Sequence, residues 1–358
     1  MSVDFFAEYG VFLAKTLTLV LAIVFVVGVL VSLGQRQKRH VKQGFIDIQN
    51  LNDRYREMAD IMSAAVLSEA EYKAQCKREK KEEKQERKRE KQRLGKEKED
   101  AVSGKPRVYV IDFVGDLRAS KTDALAHQVT AVLMQARPED EVVVRLESPG
   151  GMVHGYGLAA SQLQRIRDRN IPLTVCVDKV AASGGYMMAC LGNRILAAPF
   201  AVIGSIGVVA QVPNLHRVLQ KYDVDYDLFT AGEYKRTVTV FGENTEKAKQ
   251  KFQQELEETH VLFKDFVSRF RPVLDISAVA TGETWYGQQA LSLHLVDAIQ
   301  TSDDYLYGLH KKEADLYHVN WMEHHSLAER LGLVTESALV RVFSRLLGAL
   351  ENKGTFTR

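Results

Sequence analysis

Cysteine is scarce: three residues in a chain of 358. Cys76, Cys176 and Cys190 show no CxxC spacing and no ligand-type histidines beside them. That argues against a disulfide framework and against a zinc centre. Excess charge is lacking too. Lys and Arg number 48 against 46 Asp and Glu, a formal net charge of +2. A dedicated nucleic-acid binder carries clustered positive charge, so no nucleic-acid partner is expected. No internal repeat is visible, and no metal or organic cofactor is indicated. A hydrophobic content of 46% is ordinary for a packed core, so bulk composition does not indicate disorder.

Averages hide strong local asymmetry. Residues 11–33, VFLAKTLTLVLAIVFVVGVLVSL, form one apolar run with Lys15 as its single charge. At about 1.5 Å per residue the run is long enough for a hydrocarbon core of about 30 Å. It is too long for a typical signal-peptide core, no basic segment precedes it, and no small-residue cleavage site follows before Gln35. A retained transmembrane helix is therefore expected, with the lipid bilayer as a partner. Asp4 and Glu8 precede the run, and Arg36, Lys38, Arg39 and Lys42 follow it. By the positive-inside rule the body of the protein faces the cytoplasm.

Residues 41–75 read as half-polar helix. CKREKKEEKQERKREKQRLGKEKED then mixes both charge signs without an apolar stripe. Such a stretch is a solvated helix supported by Glu–Lys pairs, or a disordered tether. The folded body starts near Lys105. RVYVIDFV, EVVVRLE and PLTVCVD read as buried strands, separated by helices near 122–137 and 153–169. Ser120 or Thr122 is the expected cap of the first helix. Strand–helix alternation predicts an α/β fold with a parallel sheet and right-handed crossovers. A long amphipathic helix follows at 244–270, then a turn, a short helix and a returning strand. The end, from Ser326 on, has helical periodicity. The expected organisation is a tail (1–10), a transmembrane helix (11–33), a juxtamembrane and charged spacer region (34–104), an α/β domain (105–310) and a C-terminal helical extension (311–358).

Two glycine turns follow strands of this sheet: Ser148-Pro149-Gly150-Gly151 after EVVVRLE, and Ala182-Ser183-Gly184-Gly185 after PLTVCVD. In open α/β sheets ligands collect beyond the carboxyl ends of the strands. Acyl transfer needs an exposed nucleophile, a base, and N–H donors aimed at the developing oxyanion. Ser183 opens a helix, where the Gly184 N–H has no intrahelical acceptor. Gly150 and Gly151 allow close backbone approach, and one of their N–H groups can supply a second donor. The plainer alternatives are an N-cap serine and an ordinary turn. Of the histidines only His154 lies near a turn, with no acid placed to orient it, and it reads as a helix-surface residue. A lysine serves as base only where an apolar site strips it of water. Lys235, between Tyr234 and VTVF, is a candidate, although its spacing alone reads as a surface lysine.

The segments RLESPGGMVHGYGLAASQL, VDKVAASGGYMMAC, IGSIGVVAQVPN and GEYKRTVTVFGENTEKAK together resemble the signal peptide peptidase A family. The resemblance covers almost the whole chain. It implies a ClpP/crotonase-like α/β core and a Ser–Lys serine endopeptidase of the bacterial inner membrane, making 105–310 the peptidase domain. Ser183 matches the family nucleophile and Lys235 the general base. The oxyanion donors map onto Gly184 and the glycines Gly150 and Gly151. Ser205, in GSIGV, matches a serine motif that can hold the lysine amine; a turn serine is the alternative. Arg236 stands where the family's signal peptide peptidases often have a small residue, so their substrate preference does not carry over directly. The resemblance further implies homo-oligomeric rings in which neighbouring subunits complete the dyad, and it allows a periplasmic catalytic domain. Expected substrates are peptides or unfolded proteins, such as signal-peptide remnants or membrane-derived segments. A crotonase-like acyl-CoA enzyme and a non-catalytic membrane scaffold are the competing functions.

Overall fold

The computed structural model describes residues 44–96 and 105–323, with Lys15, Thr16 and Thr18. Apart from Lys15, Thr16 and Thr18, the expected tail and membrane span lie outside the described residues, as does the helical periodicity beyond Ser326. Among the described residues no helix is long and apolar enough to cross a membrane. The chain divides into two compact units, Ile46–Trp321 and a second made of Met1–Phe45 with Met322–Arg358.

Strand β1 (Gly44–Asn50) opens the described chain. Helix α1 (Leu51–Val66) follows directly, capped by the Asn50 side chain, and α2 (Glu69–Lys96) carries the charged run. The body continues through β2 (Arg107–Val114), α3 (Thr122–Leu133), β3 (Glu141–Glu147), α4 (Val153–Arg167), β4 (Leu173–Val177), β5 (Val180–Ala182), α5 (Gly184–Ala189), β6 (Arg194–Ala197) and β7 (Val202–Gly204). Then come α6 (His216–Lys221), α7 (Glu246–Phe270), α8 (Ile276–Val279), β8 (Thr284–Tyr286), α9 (Gly287–Ser292), β9 (Ala298–Ile299), α10 (Ser302–Lys311) and β10 (Asp315–Glu323).

Seven strands form the main sheet in the order β1-β10-β2-β3-β4-β6-β9, and β5, β7 and β8 form a second sheet. From β10 to β9 every pairing in the main sheet is parallel. Two of these strands depart from the sequence expectation. Residues 44–50 are strand where helix was expected, and 315–323 are strand at the start of the supposed helical extension. Short apolar runs are ambiguous between the two periods. Here the decision belongs to distant partners: β10 pairs with β2, about two hundred residues earlier, and offers its other edge to β1. The cap of α3 also differs. Lys121 occupies it without a side-chain bond, because Ser120 Oγ donates to Asp116 and Thr122 Oγ1 to the Ala119 carbonyl.

Register sets what each face buries. Ile111, Val144, Val175 and Ile195 align across four strands, and all four are fully buried on the side covered by α4 and α5. Each contributes roughly 1.5–3 kcal/mol relative to exposure. The next row, Asp112, Arg145, Cys176 and Leu196, faces the opposite side, where Leu51 of α1 and Leu306 of α10 cover Val110, Val143 and Leu316. Arg145 grips Asp112 through both carboxylate oxygens, at 2.5 and 2.7 Å, and His318 Nε2 lies 3.0 Å from Asp112 Oδ2. Burial opposes ionisation of Asp112, but the hydrogen bonds from His318 and Arg145 outweigh it and hold the carboxyl at about 2. At the far edge, Arg271 forks onto Asp297 at 2.8 and 3.0 Å and donates to the His294 carbonyl at 2.7 Å. Asp297 in turn accepts from the Ile195 N–H, so one nearly buried arginine ties the end of α7 to β6.

Two outcomes follow from these pairs. Arg271→Ala leaves Asp297 without its partner in a partly buried place, and should cost about 3–5 kcal/mol in a urea titration. A carboxyl held low in the folded state stabilises above its unfolded value of 3.8 and loses that contribution as pH falls toward about 2. Asp112→Asn should therefore be less stable than wild type at pH 6, with the gap narrowing between pH 4 and 2. A gap constant across that window would show that the ion pair does not couple protonation to folding.

Candidate active site

Both glycine turns leave the sheet at the same end. The main-chain N–H of Ser148 donates to the Val180 carbonyl at 2.8 Å, and the Ala182 N–H donates to the Ser148 carbonyl at 3.0 Å. These bonds lock the residue after β3 to β5. The Ser183 N–H donates to the Gly204 carbonyl at 2.8 Å, which adds the end of β7. Ser205, next in the chain, has φ 53° and donates its own N–H to Glu283.

Ser183 occupies a sharp strand-to-helix turn with φ 53° and ψ −119°. An L residue at positive φ costs on the order of 1–3 kcal/mol, a strain that concentrates at functional positions. Ser183 stands at the N-cap position of α5, yet its side chain makes no capping bond. The ordinary structural role of a serine there is thus unfilled. The side chain is half-buried, and its hydroxyl has no partner among the described residues.

Gly150 lies against Ser183. At φ +88° a Cβ there would stand 2.7 Å from Ser183 Cβ and 2.8 Å from the Gly184 nitrogen, so only glycine fits. The Gly150 N–H donates to Ser148 Oγ at 3.1 Å and is already spent. The N–H groups of Gly151 and Gly184 have no acceptor among the described residues. Gly151 and Gly184 are therefore the better pair of oxyanion donors among the expected glycines. The uncapped hydroxyl can attack a carbonyl carbon, and the two open N–H groups can hold the oxyanion that forms.

The structure thus brings together Ser183, Gly150, Gly151 and Gly184, with Ser205 one peptide away from the Gly204 contact. Lys235 is not tied to this group by a hydrogen bond. It lies in the irregular stretch between α6 and α7, exposed, and no hydrogen bond joins its amine to Ser183 or Ser205. Exposed apolar side chains surround it in sequence: Val209, Tyr222, Phe229, Tyr234 and Phe241, with Phe229 at 91% exposure. His154 is on the exposed surface of α4, as expected. Burial pushes the Cys176 thiol up to about 12 and raises Cys190 further, so neither is a nucleophile. Among the described residues no group of three or more His, Cys, Asp or Glu is placed to hold a metal ion.

Sequence reasoning missed one residue. Tyr156 is fully buried beneath both turns, with its ring against Gly184 and its hydroxyl 2.6 Å from Ser148 Oγ. Its only sequence signal is an aromatic in the first turns of the helix after SPGG, which reads as ordinary core.

Comparison with known proteins places the chain in a family. Residues 4–163 match the Peptidase family S49 N-terminal region, and residues 165–316 match Peptidase family S49. The chain is 54% identical to "Probable protease SohB" of Haemophilus influenzae, over 96% of both chains. It is 46% identical to "Probable protease SohB" of Buchnera aphidicola subsp. Schlechtendalia chinensis, over 85% of this chain and 99% of that one. Among solved structures, a mutant of the 1510-N membrane-bound stomatin-specific protease, in complex with a substrate peptide, matches at a TM-score of 0.36 and 15% identity, covering 57% of this chain and 80% of that one. With near-complete coverage of such relatives, the chain belongs to peptidase family S49 and is a serine-type peptidase, a hydrolase.

Proposed function

We propose that this peptidase is a membrane-anchored serine endopeptidase using a Ser183–Lys235 dyad on a ClpP/crotonase-like core. The observation that carries the reading is Ser183 itself: a strained serine at an N-cap position that caps nothing, set between two turns with open N–H groups. Ser183 Oγ attacks the scissile carbonyl carbon while the Lys235 amine takes the hydroxyl proton. The carbonyl oxygen gathers charge against the N–H groups of Gly151 and Gly184. Collapse of the tetrahedral intermediate breaks the C–N bond, and the lysine proton passes to the leaving nitrogen. Water, deprotonated by the same amine, then hydrolyses the acyl-enzyme and frees Ser183. Ser205 orients the lysine amine. Signal-peptide remnants and unfolded or membrane-derived segments are the substrates that fit an enzyme tethered by the apolar run at 11–33.

An exposed lysine is not yet a base. The segment that carries it displays Phe229 and Val209 at 91% and 80% exposure, more apolar surface than a solvated loop needs. We take a second copy of the chain to cover this segment, which would strip water from the Lys235 amine and bring the dyad together between subunits. Peptides, the bilayer and further copies of the chain are then its partners.

Purified detergent-solubilised protein and a quenched fluorescent apolar peptide test the dyad. Ser183→Ala and Lys235→Ala should each lower kcat by at least about a thousandfold with unchanged thermal unfolding. Cleavage persisting in Ser183→Ala would overturn the nucleophile. Light scattering tests the shared site: wild type should be oligomeric, and Tyr222→Asp with Phe229→Asp should yield monomers that no longer cleave. An active wild-type monomer would sink the shared dyad.

A further inference from the structure

Beneath the two turns runs a chain of hydrogen bonds whose direction is fixed by proton count. The Tyr156 hydroxyl donates to the Asp116 carbonyl at 2.8 Å, since a carbonyl can only accept. Its single proton is then used, so in the 2.6 Å contact Ser148 Oγ must donate to the phenol oxygen. Ser148 Oγ in turn accepts the Gly150 N–H at 3.1 Å. The order is Gly150 N–H to Ser148 to Tyr156 to Asp116, with every donor used once. Hydrogen bonds aligned in this way polarise and strengthen one another where water is excluded, and Ser148 and Tyr156 are both fully buried. Burial also raises the phenol's pKa, so it remains a donor through the neutral range.

The far end of this chain is the oxyanion turn. Fixing the Gly150 N–H on Ser148 sets the plane of the peptide before Gly150, and with it the run of chain that presents the Gly151 N–H. The Tyr156 ring controls the other donor. A Cβ on Gly184 would stand 2.4 Å from Tyr156 Cγ, so the ring lies directly against the first residue of the nucleophile helix. One side chain therefore touches the supports of both donors without reaching the substrate.

We propose that Tyr156, acting through Ser148 and Gly184, is a positioning residue that aligns the Gly151 and Gly184 N–H groups as one oxyanion site. The proposal rests on the reading of Ser183 as nucleophile. A residue that only fills the core would affect folding and leave the turnover of folded enzyme alone. A residue that aligns oxyanion donors lowers kcat and weakens tetrahedral adducts, because those donors act most strongly on the oxyanion.

The test uses the full chain in detergent and compares wild type with Tyr156→Phe, Ser148→Ala, the double variant and Ser183→Ala. For each, kcat and KM are measured on the quenched peptide, with the affinity for a peptide aldehyde of the same sequence and the thermal midpoint. Tyr156→Phe and Ser148→Ala should each lower kcat about 10- to 100-fold per folded molecule, with KM within about threefold. Aldehyde affinity should fall in parallel. The double variant should be no worse than about the weaker single, since either change breaks the same chain. If Tyr156→Phe fails to fold, Ser148→Ala carries the same comparison. Wild-type kcat and aldehyde affinity in the folded variants would overturn the proposal, even if the thermal midpoint drops. Cleavage by Ser183→Ala would instead overturn the nucleophile reading. An inert Ser183→Ala beside a fully active Tyr156→Phe would remove the positioning role alone.

Discussion

Ser148 joins the two glycine turns through its backbone. Its N–H and carbonyl bridge to Val180 and Ala182, so the end of β3 is stitched to β5 at the point where the chain turns into helix α5. A buried peptide group must find partners, and here those partners are the opposite turn. The satisfied backbone therefore forces the SPGG and ASGG turns into contact. The close approach of Gly150 to Ser183, the strained geometry at Ser183 and the enclosure of Tyr156 all depend on that stitch.

The parallel sheet supplies the rigidity. Its central rows are continuous apolar ladders on one face, while the other face places Asp112 between Arg145 and His318, in hydrogen-bond contact with each. These side chains add to the backbone pairing of β10 with β2 and of β2 with β3. Arg271, paired with Asp297, ties down the end of α7, a helix that packs against α5. Charged pairs of this kind contribute less by net energy than by the penalty for breaking them, so they hold the elements in one arrangement.

Against this rigid frame, the stretch between β7 and α7 is of another kind. It carries one short helix and many exposed apolar side chains, and it bears Lys235, the lysine of the proposed dyad. The proposed dyad thus joins a strained serine in the folded body to a lysine on an open segment rich in exposed apolar side chains.

By itself, the sequence determined the strands 107–114, 141–147 and 173–177, the parallel α/β class, the two glycine turns and the nucleophile candidate. Each depends on local pattern: unbroken apolar runs for buried strands, glycine where a turn needs it, a serine at a helix start. Residues 44–50 and 315–323 escaped it because strand pairing with distant chain decided their form, and nothing in either segment records its partner. Tyr156 escaped for the same reason. Its place under both turns arises only when β3, β5 and α4 converge, and a buried aromatic leaves no mark in sequence that separates a support from a filler. The tertiary structure alone decided which glycine N–H groups stay open, since that depends on Ser148 Oγ claiming Gly150 and leaving Gly151 unpaired.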